Sequence, residues 1–311
     1  MSIINEFEPS ILIIVKDEPS ISDTLTRLKS HSSTMQFECV VVDASEGRLD
    51  FIRKSFPWVK WIDFISPKSK KISIPEQRNV AVRASTGKFI AFCDAGGIPD
   101  PHWLDNLMAP LFSGEFSLVG GPILNSNTAS PTSQYNLQPY GTKLQVKTTA
   151  NLAMSRDVYL QVGGFRESLE YGSDADFIWR AEQLGILHAS IPSAVMSLNG
   201  GTSSREIRRS WRYGKAMTNL FSIHKDKRAN LVRNSPEIIF YPMLILATII
   251  GISLRPARLA IPTLSIFLAA NCAIVVKNRR GRRPYFTLVL HYVYALGMLS
   301  MLIKLAIKRI R

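Results

Sequence analysis

Residues 78–104 read RNVAVRASTGKFIAFCDAGGIPDPHWL, and this stretch decides the fold. It carries a helix, then the apolar run KFIAFC, then Asp94 where that run ends, a Gly-Gly turn and the start of another helix. A short apolar run bounded by turn signals suits a strand buried on both faces. In an open α/β sheet ligands sit outside the carboxyl ends of the strands, so Asp94 points to where a small molecule binds. The position two after it is Gly96, which has no side chain to hold a metal ion.

Working outward, the same alternation fills the first hundred residues. ILIIV (11–15), FECVVVD (37–43) and VKWIDFI (59–65) read as strands, with an amphipathic helix at 20–29 after the first. Ser73-Ile74-Pro75-Glu76 forms a capping box that opens the helix carrying Arg78. Alternating β and α units of this length predict an α/β fold, a parallel sheet with helices on both faces. Residues 114–150 turn rich in Gly, Ser, Thr and Asn and read as a long binding loop. Order returns at 151–161. A Gly163-Gly164-Phe165 turn, an amphipathic helix within 171–185 and a short strand, SAVMSL (193–198), follow.

The formal charge of +14 invites a nucleic-acid reading, but its location argues otherwise. Residues 223–311 hold 15 of the 38 Lys and Arg and only Asp226 and Glu237 of the acids. That excess flanks three apolar runs, 238–254, 259–276 and 285–303, which is the pattern of segments facing anionic lipid. A span needs about 20 apolar residues, so the third run suits a membrane helix best. The domains are therefore expected at 1–222 and 223–311, with the second a membrane region of two or three apolar helices. If all three runs span, the loop KNRRGRRP (277–284) lies inside while the terminal KRIR lies outside, against the positive-inside trend. One run is then re-entrant or interfacial. The helix expected from a second capping box at Ser203–Glu206 carries REIRRSWRYGK (205–215) and suits an interfacial element or a solvated basic face. Cys39, Cys93 and Cys272 lack metal-ligand spacing and fit a reducing setting. SILIIV (10–15) is too short, with acids before it, for a signal peptide.

Four pieces in this order, VVVDAS, RNVAVRASTGKFIAFCDAGGIPDPHWL, NLAMSRDVYLQVGGF and YGSDADFIWR, resemble glycosyltransferase family 2 over residues 10–220. The resemblance implies a GT-A fold, a Rossmann-like mixed sheet with helices on both faces. It also implies transfer of a sugar, with inversion, from a nucleotide-diphosphate donor to a hydroxyl. For this chain the acceptor expected is lipid-linked or a surface glycan, with a cytosolic catalytic domain at the inner membrane and no nucleic-acid partner.

On the matching positions, Asp43 implies a contact to the nucleotide base, Arg78 lies near the nucleotide, and Asp94 is the first acid of the Asp-x-Asp pair that grips ribose and a divalent Mg or Mn ion. Gly96 replaces the second acid, and Ser197 and Leu198 stand where a further histidine ligand is often found. The metal is therefore in doubt, with helix N-termini or cations left to hold the diphosphate. Asp174 matches the general base, preceded by Ser173 in place of the usual glutamate. A purely structural role is open too: Ser173 suits an N-cap, and Asp174 and Asp176 suit the first turn of a helix. Gly163, Gly164, Trp179, Arg209 and Arg212 are candidates for the acceptor or diphosphate, with Trp179 and Trp103 equally suited to a core; His188 receives no role. A processive synthase fits less well, because Arg208-Arg209-Ser210-Trp211 lacks the Gln-x-x-Arg-Trp motif. A degenerate, non-catalytic scaffold that binds nucleotide sugar is the other alternative.

Overall fold

The structure is a computed structural model that describes residues 9–30, 35–65, 72–125, 139–140, 143–144, 148–198, 202–234, 237–254, 265, 269, 271 and 284–310. It divides into two compact units, Met1–Gly200 and Gly201–Arg311. The boundary expected from composition at 222/223 thus falls about twenty residues earlier by packing, because the basic helix belongs with the second unit.

The first unit starts with the expected β/α alternation: β1 (Pro9–Val15), α1 (Ile21–Ser30), β2 (Glu38–Asp43), α2 (Asp50–Ser55), β3 (Lys60–Asp63), α3 (Ile74–Ala84) and β4 (Phe89–Cys93). It continues with β5 (Gly97–Pro99), α4 (Trp103–Phe112), β6 (Leu118–Gly120), β7 (Ile123–Asn125), β8 (Pro139–Tyr140), β9 (Lys143–Leu144), β10 (Asn151–Ser155), α5 (Arg156–Val162), α6 (Ser173–Gln183), β11 (His188–Ser190) and β12 (Met196–Leu198). The main sheet runs β11-β6-β10-β4-β1-β2-β3. β1 to β4 pair in parallel, while β10 is antiparallel to both β4 and β6, so the sheet is mixed. A second sheet, β5-β12-β7, stands beside the turn that follows β4.

The apolar run at β4 is buried along its whole length because core lies on both sides of it. Ile11, Ile13, Cys39, Val41, Ala91 and Cys93 face the cluster under α1 and α4. Leu12, Val40, Val42, Ile90 and Phe92 face the cluster under α3, α5 and α6. This is the alternation a strand imposes when both faces are covered. Both described cysteines behave as core residues, and burial pushes their thiols well up, away from reactivity. Trp103 is also core, its indole N–H donating to Asn151 Oδ1 at 2.7 Å.

In the second unit, α7 (Ser203–Ile223) is capped by Thr202, whose hydroxyl accepts from the Arg205 N–H; the cap lies one residue before the expected Ser203. α7 packs on the C-terminal helix Pro284–Ile310 at Gly214 and Gly297, where a Cβ on either would run into the other helix's backbone. The Ser210 hydroxyl donates to the Leu290 carbonyl across the same contact. The chain continues through α8 (Arg228–Asn234) and α9 (Glu237–Leu254). Among the described residues one helix, Tyr285–Ile307, is long and apolar enough to cross a membrane, and Ile239–Ile249 is a shorter apolar stretch. The expected run 259–276 lies outside the described residues except at 265, 269 and 271.

Candidate functional site

The carboxyl edge of the parallel strands collects the donor-side candidates. Val15 pairs with Asp43, so β1 and β2 end level. β1 lies between β2 and β4, and strands stand about 4.8 Å apart, which sets the backbones of Asp43 and Asp94 about 10 Å apart along this edge. Asp43 is 5% exposed, and its Oδ1 accepts from the Ser45 N–H at 2.8 Å. Asp43 therefore caps the turn after β2 through Oδ1, while its Oδ2 makes no such bond among the described residues. Ser45 in turn accepts from the Asp17 N–H, tying the loop after β1 to the loop after β2. Asp17 and Glu46 hold left-handed backbone (φ 53° and 52°) in these two loops, strain of a kind that concentrates at binding sites.

Asp94 stands at the end of β4, half-buried, at the head of a tight turn in which the Gly97 N–H donates to its carbonyl. Gly96 has φ 82° and donates its N–H to the buried Thr24 Oγ1 at 2.9 Å. The register of the second sheet sets Leu198 opposite Gly97 and Ser197 opposite Ile98. The two positions where metal ligands were expected and are missing are therefore neighbours in space. Among the described residues no three His, Cys, Asp or Glu side chains come together as a metal site. The residues at this turn supply one carboxylate, Asp94, and do not fit a cage for a divalent ion.

The acceptor-side candidates gather around α6. Gly172, in left-handed backbone (φ 77°), is its N-cap, and Ser173 is already the first helical residue. The expected Ser173 cap does not form, because glycine takes the left-handed position and the serine hydroxyl instead accepts from Arg78 Nη1 at 3.1 Å. Arg78 is 9% exposed and lies over the Phe165 ring at 5.5 Å, so it is not a solvated helix arginine. Asp174 follows Ser173, half-buried, with Oδ1 accepting from the Ala175 N–H. Asp176 has a different setting. It is fully buried, paired with Arg180 at 2.9 Å and with Arg166 at 3.6 Å. Arg180 also donates to the carbonyls of Val162 and Gly164 and so joins α6 to the Gly-Gly turn.

Asn79 is the residue that sequence reasoning passed over. Its Nδ2 donates to the Phe165 carbonyl and to Glu167, while its Oδ1 accepts from the Phe165 N–H and the Tyr159 hydroxyl. Its place beside Arg78, on the buried face of α3, was the available signal. Gly163 ends α5 in left-handed backbone, and a Cβ on Gly164 would lie 2.9 Å from Tyr159 Oη. These glycines shape the turn. Trp179 is half-buried on α6, and His188 sits at a strand start with Glu182 at 3.6 Å. Arg209 and Arg212 lie on α7, in the second unit.

A family model described as glycosyl transferase family 2 matches residues 10–166, just over half of the 311-residue chain. The match includes Asp43, Arg78, Asn79, Asp94 and the Gly163-Gly164 turn and stops before Asp174. A "Pre-mycofactocin glycosyltransferase" of Mycobacterium tuberculosis is 27% identical over 215 residues, 63% of this chain and 45% of that protein. "Glycosyltransferase AglE" of Haloferax volcanii is 28% identical over 190 residues, 58% of this chain and 62% of that protein. The alignments span less than two thirds of these relatives' lengths. Among solved structures, the mannosyltransferase PcManGT of Pyrobaculum calidifontis, in complex with GDP-Man and Mn2+, aligns with a TM-score of 0.64 at 16% identity, over 94% of this chain and 86% of its own. S. aureus TarS aligns at 0.52 and 15%, over 94% of this chain and 55% of its own. These two likenesses concern the fold.

Proposed function

The chain belongs to glycosyl transferase family 2, and on that premise we propose that it transfers a sugar, with inversion, from a nucleotide-diphosphate donor to an acceptor hydroxyl. The observation that carries this reading is the contrast between Asp174 and Asp176 on one helix. Asp176 is buried and paired with two arginines, whereas Asp174, two residues earlier, is half-buried in the first turn. Asp174 is thus the carboxylate of the pair with access to an acceptor.

In the proposed reaction Asp174 takes the proton of the acceptor hydroxyl as its oxygen attacks the anomeric carbon. The bond from that carbon to the diphosphate oxygen breaks on the opposite face, which inverts the centre. Asp43 accepts from the base, and Asp94 meets the ribose and donor sugar at the carboxyl edge. Arg78 and Asn79, rather than touching the donor alone, hold the segment that presents Asp174. No step is routed through a metal.

The acceptor proposed is lipid-linked or a surface glycan, at the inner face of a cytoplasmic membrane. The long apolar helix Tyr285–Ile307, the one such helix among the described residues, and the basic excess of residues 223–311 support this. The test is nucleoside-diphosphate release by the full chain from UDP- and GDP-sugars with lipid extract as acceptor. Asp174→Asn is expected to bind donor and to release nucleoside diphosphate on the order of a thousandfold more slowly. Full turnover by that variant would refute the base assignment. Donor binding with no release even by the unaltered chain, across donors and acceptors, would favour the non-catalytic scaffold.

A further inference from the structure

We infer that this chain binds the donor diphosphate without a protein-held divalent ion, because the positions that would complete an ion's ligand set beside Asp94 are occupied by neutral groups. The inference deepens the donor site proposed above and rests on it.

Three independent features point the same way. First, the place a second acid would fill is already occupied. A Cβ built on Gly96 lies 2.5 Å from Ser20 Oγ, and the Gly96 N–H is bonded to Thr24 Oγ1. Ser20, just before α1, and Thr24 in its first turn pack against the turn after β4, and their hydroxyls take the volume and the backbone donor. Second, an acid one residue later is shut out as well: a Cβ on Gly97 would stand 2.9 Å from the Asp94 carbonyl oxygen and 3.0 Å from Met196 Sδ. Third, the facing strand brings Leu198 opposite Gly97 and Ser197 opposite Ile98, so the sheet edge across the turn presents no carboxylate or imidazole there. Glu18 is an acid linked to this turn through Ser20, its Oε1 accepting from the Ser20 hydroxyl at 2.8 Å.

A divalent ion at a diphosphate usually draws one or two carboxylates from the protein in addition to the phosphate oxygens. With Asp94 as the one carboxylate this turn supplies, the protein's share of an ion's ligands is at the low end of that range, and Gly96, Gly97, Ser197 and Leu198 add nothing to it. Ser20 beside Gly96, and the Asp94 carbonyl and Met196 Sδ beside Gly97, build this state into the packing of the turn.

The test is calorimetric titration of GDP and of UDP into the full chain, once with excess EDTA and once with saturating MnCl2, with free Mn2+ followed by its paramagnetic resonance signal. Whichever nucleotide binds is expected to show a Kd that differs by less than about threefold between the two conditions, with no stoichiometric loss of the Mn2+ signal beyond that of nucleotide alone. A larger tightening with Mn2+ overturns the inference and leaves the donor site standing. Loss of that tightening in Glu18→Gln would then identify Glu18 as the replacement ligand. No binding of either nucleotide in either condition overturns the donor site itself, and the inference with it.

Discussion

Around residues 163–180 the chain fixes geometry with buried side-chain hydrogen bonds, whereas around residues 94–97 it does so with backbone conformation and two hydroxyls. In the first region Arg78, Asn79 and Arg180 tie α3, the Gly-Gly turn and α6 together through charged and amide groups. In the second, Gly96 in left-handed backbone leans on Ser20, just before α1, and on Thr24 within it. The difference shows how one residue type takes separate jobs. Aspartate caps a turn at 43, ends a strand at 94, stands half-open at 174 and is consumed in an ion pair at 176. The rigid polar bracing lies beside Asp174, the carboxylate proposed as the base. A neutral, close-packed turn belongs where charge has been removed.

The sharpest way to break this contrast is at Asp174. Asp174→Asn should lower transfer on the order of a thousandfold while leaving nucleotide affinity and the unfolding midpoint close to those of the unaltered chain; a rate assay beside a thermal melt checks both. Removing the buried partner comes next. Arg180→Ala leaves Asp176 buried beside the more distant Arg166 and strands two carbonyls, so urea unfolding should show a loss of about 3 kcal/mol. A loss below about 1 kcal/mol would mean the brace is not structural. Asn79→Ala, which leaves the Phe165 N–H without its acceptor, should cost about 2 kcal/mol by the same measurement.

The smaller effects lie at the turn and in the alkaline range. Gly96→Ala should cost about 1 kcal/mol, because a Cβ is placed in left-handed backbone while Ser20 Oγ can swing aside. Ser20→Gly in the same chain should recover part of it. Burial raises the Tyr159 hydroxyl above its ordinary 10.0, so the folded state holds that proton more tightly than the unfolded state. The stability this contributes is intact below pH 10 and is lost as pH rises above it. Tyr159→Phe should therefore flatten the alkaline side of a stability profile, and an unchanged profile would count against the coupling.

Legibility in the sequence followed the range of the interactions. β1 to β4 and their intervening helices were readable because an apolar run between turn signals needs only its neighbours to declare itself. Gly96 was equally readable as a missing acid. The antiparallel insertion of β10 between β4 and β6 was not, because its partners lie some sixty and thirty residues away and a five-residue strand carries no mark of direction. Caps were readable to within one residue: Gly172 and Thr202 took the places expected for Ser173 and Ser203.

By itself the sequence determined that an α/β nucleotide-sugar fold is present and that the basic charge gathers beside apolar runs, and it offered Asp43, Asp94 and Asp174 as candidate site carboxylates. These depend on residue type and order along the chain. Only the tertiary structure decided which aspartate of Asp174 and Asp176 stays open. It also decided that Arg78 reaches Ser173 and that Asn79 holds the Gly-Gly turn. Last, it showed that Ser20 fills the place beside Gly96. Each of these is a contact between segments many residues apart, and burial and hydrogen-bond geometry exist only once the sheet has brought those segments together.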